Sequence, residues 1–171
     1  MSKIFIVNGR GTAGKTTFET MVQNIAREKD KTVAIESTID WVKQYAKKAG
    51  WDGSKTPESR RFLSDLKDAL TRWNDVPYKK MQERLEWHKI NGTNAVFIDC
   101  REPAEIQRFV DDYQATTILV QRGDVEVVIF GNHADDNVGN YQYDIIIDNS
   151  RGLAELEEEA RIFVETFIME E

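Results

Sequence analysis

At 171 residues, with 40% hydrophobic and 31% charged side chains, the chain is long enough to bury a core without help from metals or disulfides, and it is most simply one domain. A net charge of -7 argues against a general nucleic-acid binder, which needs a basic surface, but leaves room for a local basic site that takes a mononucleotide. One cysteine, Cys100, makes no internal disulfide, two histidines do not suggest a structural zinc site, and no apolar stretch approaches the ~18 residues of a membrane span. With no secretory signal, the expected location is cytoplasmic.

The first apolar run, Ile4–Val7, reads as a strand and leads directly into Gly-Arg-Gly-Thr-Ala-Gly-Lys-Thr at Gly9 to Thr16, a complete match to G-x-x-x-x-G-K-[ST]. A helix is expected from Thr17 to Glu28, with Phe18, Met21, Val22 and Ile25 on its inner side. Strand, glycine-rich turn and helix are the context in which such a loop wraps a polyphosphate. Gly9, Gly11, Thr12, Ala13 and Gly14 would offer backbone N–H groups, and Thr17 would stand at the mouth of the helix. Lys15 would reach the outer phosphates of ATP and Thr16 would place its hydroxyl on Mg²⁺.

Further strands are expected at Val33–Glu36, Ala95–Asp99, Thr117–Gln121 and Asp144–Asp148, four of the five being continuous apolar runs, as in strands buried on both faces. Helices are expected between them, so the chain reads as α/β with a parallel sheet. The long segment 37–93 looks like three helices. Ser37 with Asp40 suggests a capping-box variant with Gly50 as the stop. Thr56-Pro57-Glu58 is an N-cap, a proline at N1 and a first-turn acid, and Tyr78, Met81, Leu85 and His88 mark a third helix that ends at Asn91-Gly92. A helix from Glu102 to Tyr113 and a last helix from Leu153 onward, with Leu153, Leu156, Ala160, Phe163 and Phe167 inward, complete the order. Glu155, Glu157, Glu158 and Glu159 form its solvated face.

Phosphoryl transfer asks for metal, positioning and positive charge. Asp99 ends an apolar strand, where a parallel sheet places its ligands, so Asp99 and Arg101 should point toward the loop. Asp99 could hold Mg²⁺ or Arg101, or merely cap the helix that opens at Pro103. Glu36 should reach the same cleft edge, and Arg122, directly after the fourth strand, suits a lid arginine or a plain edge charge. On the helix from Pro57, Phe62, Leu66, Ala69 and Trp73 are expected to be buried. Arg61–Asp65 and Asp68–Arg72 then read as surface ion pairs, and Arg60 stands on another flank beside Lys67. His88 reads as a packed histidine, Cys100 as core, and His133 as part of a polar loop; Trp41 and Trp51 could stack on a base, although packing is the commoner role.

Several of these pieces occur in one order. Asp99-Cys100-Arg101-Glu102-Pro103-Ala104-Glu105 resembles the D-x-R-x-P-x-E stretch of phage-type deoxynucleoside monophosphate kinases. Asp40-Trp41-Val42-Lys43 is similar to that family's D-P-[LV]-K, and Trp51 to Pro57 with Arg60, Phe62 and Leu63 to its W-D-x-x-K followed by R-x-L-L. Asn132 to Asp136 is similar to its H-x-S-E, with Asp in place of both Ser and Glu, and Asp144 to Leu156 to its D-x-x-I-x-N-x-G-x-L-x-x-L. The resemblance implies a three-layer α/β/α P-loop kinase-like fold with a five-stranded parallel sheet. It also implies an acceptor-binding helical insertion between strands two and three, at about 37–93, and a short lid at about 122–140.

The implied reaction is transfer of the γ-phosphoryl group of Mg-ATP to a nucleoside monophosphate, with Arg60 and Arg101 on the acceptor phosphate and Arg122 closing from the lid. Other small hydroxyl or phosphate acceptors stay open, as does a nucleotide-dependent switch with weak ATPase activity, although N-K-x-D is absent. The expected partner is a small-molecule nucleotide acceptor, with neither nucleic acid nor membrane involved.

Overall fold

The computed structural model describes residues 2–123 and 138–170. The expected Asn132 to Asp136 piece, His133 included, lies outside them. Five strands form one parallel sheet: β1 (Lys3–Asn8), β2 (Val33–Ser37), β3 (Ala95–Asp99), β4 (Thr116–Gln121) and β5 (Ile145–Asp148), in the order β2-β3-β1-β4-β5. Among the described residues, six α-helices accompany it: α1 (Lys15–Glu28), α2 (Asp40–Lys48), α3 (Pro57–Asn74), α4 (Val76–Ile90), α5 (Pro103–Tyr113) and α6 (Leu153–Phe163). The expected α/β class, parallel sheet and helical insertion between β2 and β3 are those observed.

Strand alternation divides the core in two. Phe5, Val7, Phe97, Ile118 and Val120 face α1 and α6, where they meet Phe18, Val22, Leu156 and Phe163. Ile6, Val96 and Ile98 face the other way, toward Tyr78, Met81 and Leu85 of α4 and Ile106 and Phe109 of α5. Phe163 makes edge contacts with Phe5, Phe18 and Phe97 at centroid distances of 5.1, 5.6 and 5.7 Å. Cys100 is buried in the second cluster, as expected.

Local expectations met several corrections. α1 begins two residues early, at Lys15, because Gly14 serves as its N-cap. The Ser37–Asp40 capping box is not formed: Ile39 is the N-cap of α2, and Asp40 sits in the first turn, where it meets the helix dipole and lies 3.4 Å from Lys43. Thr56 does cap α3, accepting from the Ser59 N–H at 3.2 Å. α6 ends at Phe163 and continues as a π turn through Val164–Ile168, while Leu153 stays 66% exposed at its start.

The largest difference concerns α3. None of its residues is fully buried, Phe62 is 39% exposed and Trp73 is 84% exposed. The half-buried positions are Ser59, Leu63, Ser64, Leu66, Lys67 and Leu70, a stripe displaced from the expected one. The physical reason is the position of α3, which covers α2 and α4 rather than the sheet. A narrow leucine seam suffices there, and bulky Phe62 and Trp73 fall outside it.

Candidate functional site

β1 and β3 are neighbours in register, with Val7 opposite Asp99, so the loop that leaves β1 emerges beside the end of β3. Asp99 shares strand parity with Phe97 and therefore faces α1. There its carboxylate forms an ion pair with the Lys15 ammonium. Asp99 is thus committed to the first turn of α1. The cap of α5 is Glu102, so the alternative of Asp99 as a helix cap does not hold.

The glycine-rich loop has the backbone its sequence asks for. Thr12 and Gly14 adopt left-handed conformations, with φ of 67° and 96°, and alternating backbone handedness turns successive N–H groups into one concavity. Gly9 must be glycine because a Cβ there would lie 2.6 Å from the Val120 carbonyl oxygen of β4. The Gly9 N–H donates to Asn8 Oδ1 at 2.8 Å, while Asn8 Nδ2 donates to the Tyr143 hydroxyl at 2.7 Å and to the Arg101 carbonyl at 3.4 Å. That last bond holds the Arg101 backbone at the entrance of the loop. Thr16 and Thr17 are exposed in the first turn of α1.

Sequence reasoning missed Glu19. It sits one turn after Lys15 and is buried, with Oε1 lacking a hydrogen-bond partner among the described residues. Burial, reinforced by the neighbouring Asp99 carboxylate and opposed by Lys15, pushes its carboxyl up to about 9, so Glu19 is a neutral acid at pH 7. The visible signal was an acid adjoining Phe18, on the inner stripe of a helix that starts with the loop lysine.

Around this centre the other candidates separate. Arg60 is exposed on α3, and its Nε donates to the Lys55 carbonyl at 3.3 Å. Seven residues on, Lys67 lies within about 20° of the same helix face. Lys67 crosses to the start of α5 and pairs with Glu105 at 2.7 Å, with Thr38 Oγ1 at 3.4 Å. Burial pulls the Lys67 ammonium down, but Glu105 prevails and raises it above its ordinary value. Glu105 also accepts from Cys100 Sγ at 3.2 Å, and the Thr38 N–H donates to the Asp99 carbonyl at 3.2 Å. The Arg60 face of α3 is therefore turned toward the segment that carries Asp99 and Arg101. Arg122 is exposed immediately after β4.

Glu36 is not available to a ligand in the expected way. Its Oε1 accepts from Arg84 Nη2 at 2.6 Å and lies 2.7 Å from His88 Nε2. Burial would raise its carboxyl, but the Arg84 and His88 hydrogen bonds hold it below the usual carboxylate range. His88 is the packed histidine expected, with Nδ1 3.1 Å from Thr93 Oγ1. Trp41 lies under the Lys80 ammonium at 5.3 Å.

No protein-family model matches the chain, and no curated protein matches its sequence. Solved structures do resemble it. A sugar kinase from Janibacter sp. HTCC2649 superposes with a TM-score of 0.51 at 11% identity, over 98% of this chain and 96% of that one. An APS kinase from Mycobacterium tuberculosis gives 0.48 at 13% identity, over 96% and 98%. Shikimate kinase from Bacteroides thetaiotaomicron gives 0.45 at 18% identity, over 96% of each chain. At these identities the likeness is one of fold. The chain has a P-loop kinase-like fold, a class defined here by the parallel sheet and by the glycine-rich loop at the end of its central strand.

Proposed function

We propose that the protein transfers the γ-phosphoryl group of ATP to a nucleoside monophosphate. The observation that carries this reading is the Lys15–Asp99 pair at the mouth of the loop, beside Thr16. An ammonium, a hydroxyl and a carboxylate that lie so close to the loop suit the outer phosphates of ATP. Phosphoryl transfer needs little more from a protein than such charges held in place, because the acceptor phosphate is already anionic and needs no strong base.

In this reading the loop N–H groups from Gly9 to Thr17 bind the phosphates and Lys15 moves from Asp99 to the β- and γ-phosphates. Thr16 and Asp99 fit Mg²⁺, which favours oxygen donors and takes few protein ligands beside phosphate. When bound, that ion would neutralise charge on the moving group. Residues 37–93 serve as the acceptor-binding insertion and 122–140 as the lid of one kinase-like unit. Arg60 and Arg101 hold the acceptor phosphate, which the shared face of Arg60 and Lys67 supports, and Arg122 closes over the triphosphate. The resemblance to phage-type deoxynucleoside monophosphate kinases favours a nucleotide over other small acceptors.

A panel of nucleoside monophosphates with Mg-ATP tests this directly. Product formation is expected to rise manyfold with the preferred acceptor, and Lys15→Ala is expected to lower turnover by about 10²–10³-fold or more. ADP formation that ignores every monophosphate would sink the reading and favour a slow nucleotide-dependent switch.

A further inference from the structure

The loop after β5 carries a side chain that the proposed reaction does not use. Asn149 is 7% exposed, and its Nδ2 donates to the Ala13 carbonyl oxygen at 2.9 Å. Facing a carbonyl, only the amide nitrogen of asparagine can make that bond. Its own N–H donates to the Gln121 carbonyl at 2.8 Å, which ties the loop to the end of β4. A Cβ on Gly14 would stand 2.2 Å from Asn149 Nδ2 and 3.2 Å from its Cγ. The amide therefore packs closely against Gly14, and Gly14 is needed both for its φ of 96° and for that close approach.

The consequence follows from peptide geometry. In a trans peptide the C=O and the following N–H point in opposite directions. A hydrogen bond that draws the Ala13 carbonyl toward Asn149 thus turns the Gly14 N–H away from it, into the concavity of the loop. If the peptide flipped, a carbonyl oxygen would replace that donor and repel an anion. We infer that Asn149 is a positioning residue for the phosphate cradle: it fixes the Ala13–Gly14 peptide with its N–H directed at the bound polyphosphate. This rests on the nucleotide-binding reading of the loop and adds a residue 136 positions away from Ala13 in the chain.

The test is ADP titration by calorimetry on the wild-type protein, Asn149→Asp and Asn149→Ala, with steady-state kinetics and urea unfolding alongside. Asn149→Asp keeps the shape and loses the donor. Its ADP Kd and ATP KM are expected to rise about tenfold or more, with acceptor KM unchanged. Asn149→Ala should fall between wild type and Asn149→Asp, because it removes the donor without adding a repelling carboxylate. Unaltered ADP affinity in both variants overturns the inference, as does a loss of folding in both, which would assign Asn149 to the scaffold alone. A wild-type protein that does not bind ADP would instead sink the nucleotide reading itself.

Discussion

The two faces of the sheet are built differently. On the α1 and α6 side, aromatic rings interlock around Phe163 and almost nothing polar intervenes except Glu19. Within the insertion above β2 and β3, α3 is looser: it buries no residue completely, and an ammonium–carboxylate link, Lys67 to Glu105, ties it to α5. The glycine-rich loop leads into α1 on the dense side, and the phosphate cradle proposed for it would need such fixed donors. The acceptor role proposed for α3 would suit a helix on a narrow seam and a polar tie, since such regions open at lower cost.

The sharpest way to break this contrast is by truncation. Phe163→Ala should cost about 3–5 kcal/mol in urea unfolding, whereas Leu66→Ala on the half-buried seam should cost about 1 kcal/mol. Equal losses would show that the insertion is packed as tightly as the core. Next in size is Arg60→Ala. Losing a charge-assisted contact to an acceptor phosphate should raise the acceptor KM about ten- to a hundredfold and leave the ATP KM alone; unchanged acceptor kinetics would remove Arg60 from the site.

The third contrast is one of pH and concerns Glu19, buried on the dense side. The folded chain keeps the Glu19 proton up to about 9, while an unfolded glutamate releases it near 4.5. Within that window the unfolded state binds fewer protons, so this group makes stability fall as pH rises. Glu19→Gln imitates the neutral acid. In metal-free, nucleotide-free buffer its urea midpoint should match wild type near pH 4.5 and exceed it at pH 8. Curves that run parallel across the range would show that Glu19 is ionised.

What the sequence revealed follows a physical division. The glycine-rich loop, the buried strands and the Thr56 cap are local patterns, and each stood where its spacing placed it. The inner face of α3 was misplaced because helical periodicity finds a stripe but not its partner, and Phe62 and Trp73 outweighed the modest leucines that do the packing. Glu36 looked available because Arg84 and His88 lie 48 and 52 residues away. Glu19 escaped notice for the same reason, and Asn149 reads in the sequence only as part of the Asp144 to Leu156 motif. Their roles come from side chains that only the folded sheet brings to them.

The place of β1 in the sheet has one more consequence. Among the described residues it is the middle strand of five, hydrogen-bonded along both edges, while β2 and β5 stand at the rims. Amide protons along β1 should thus be among the last to exchange with deuterated water, because local openings that begin at the rims must pass two ladders before they reach it. The glycine-rich turn would then hang from the slowest-breathing part of the molecule.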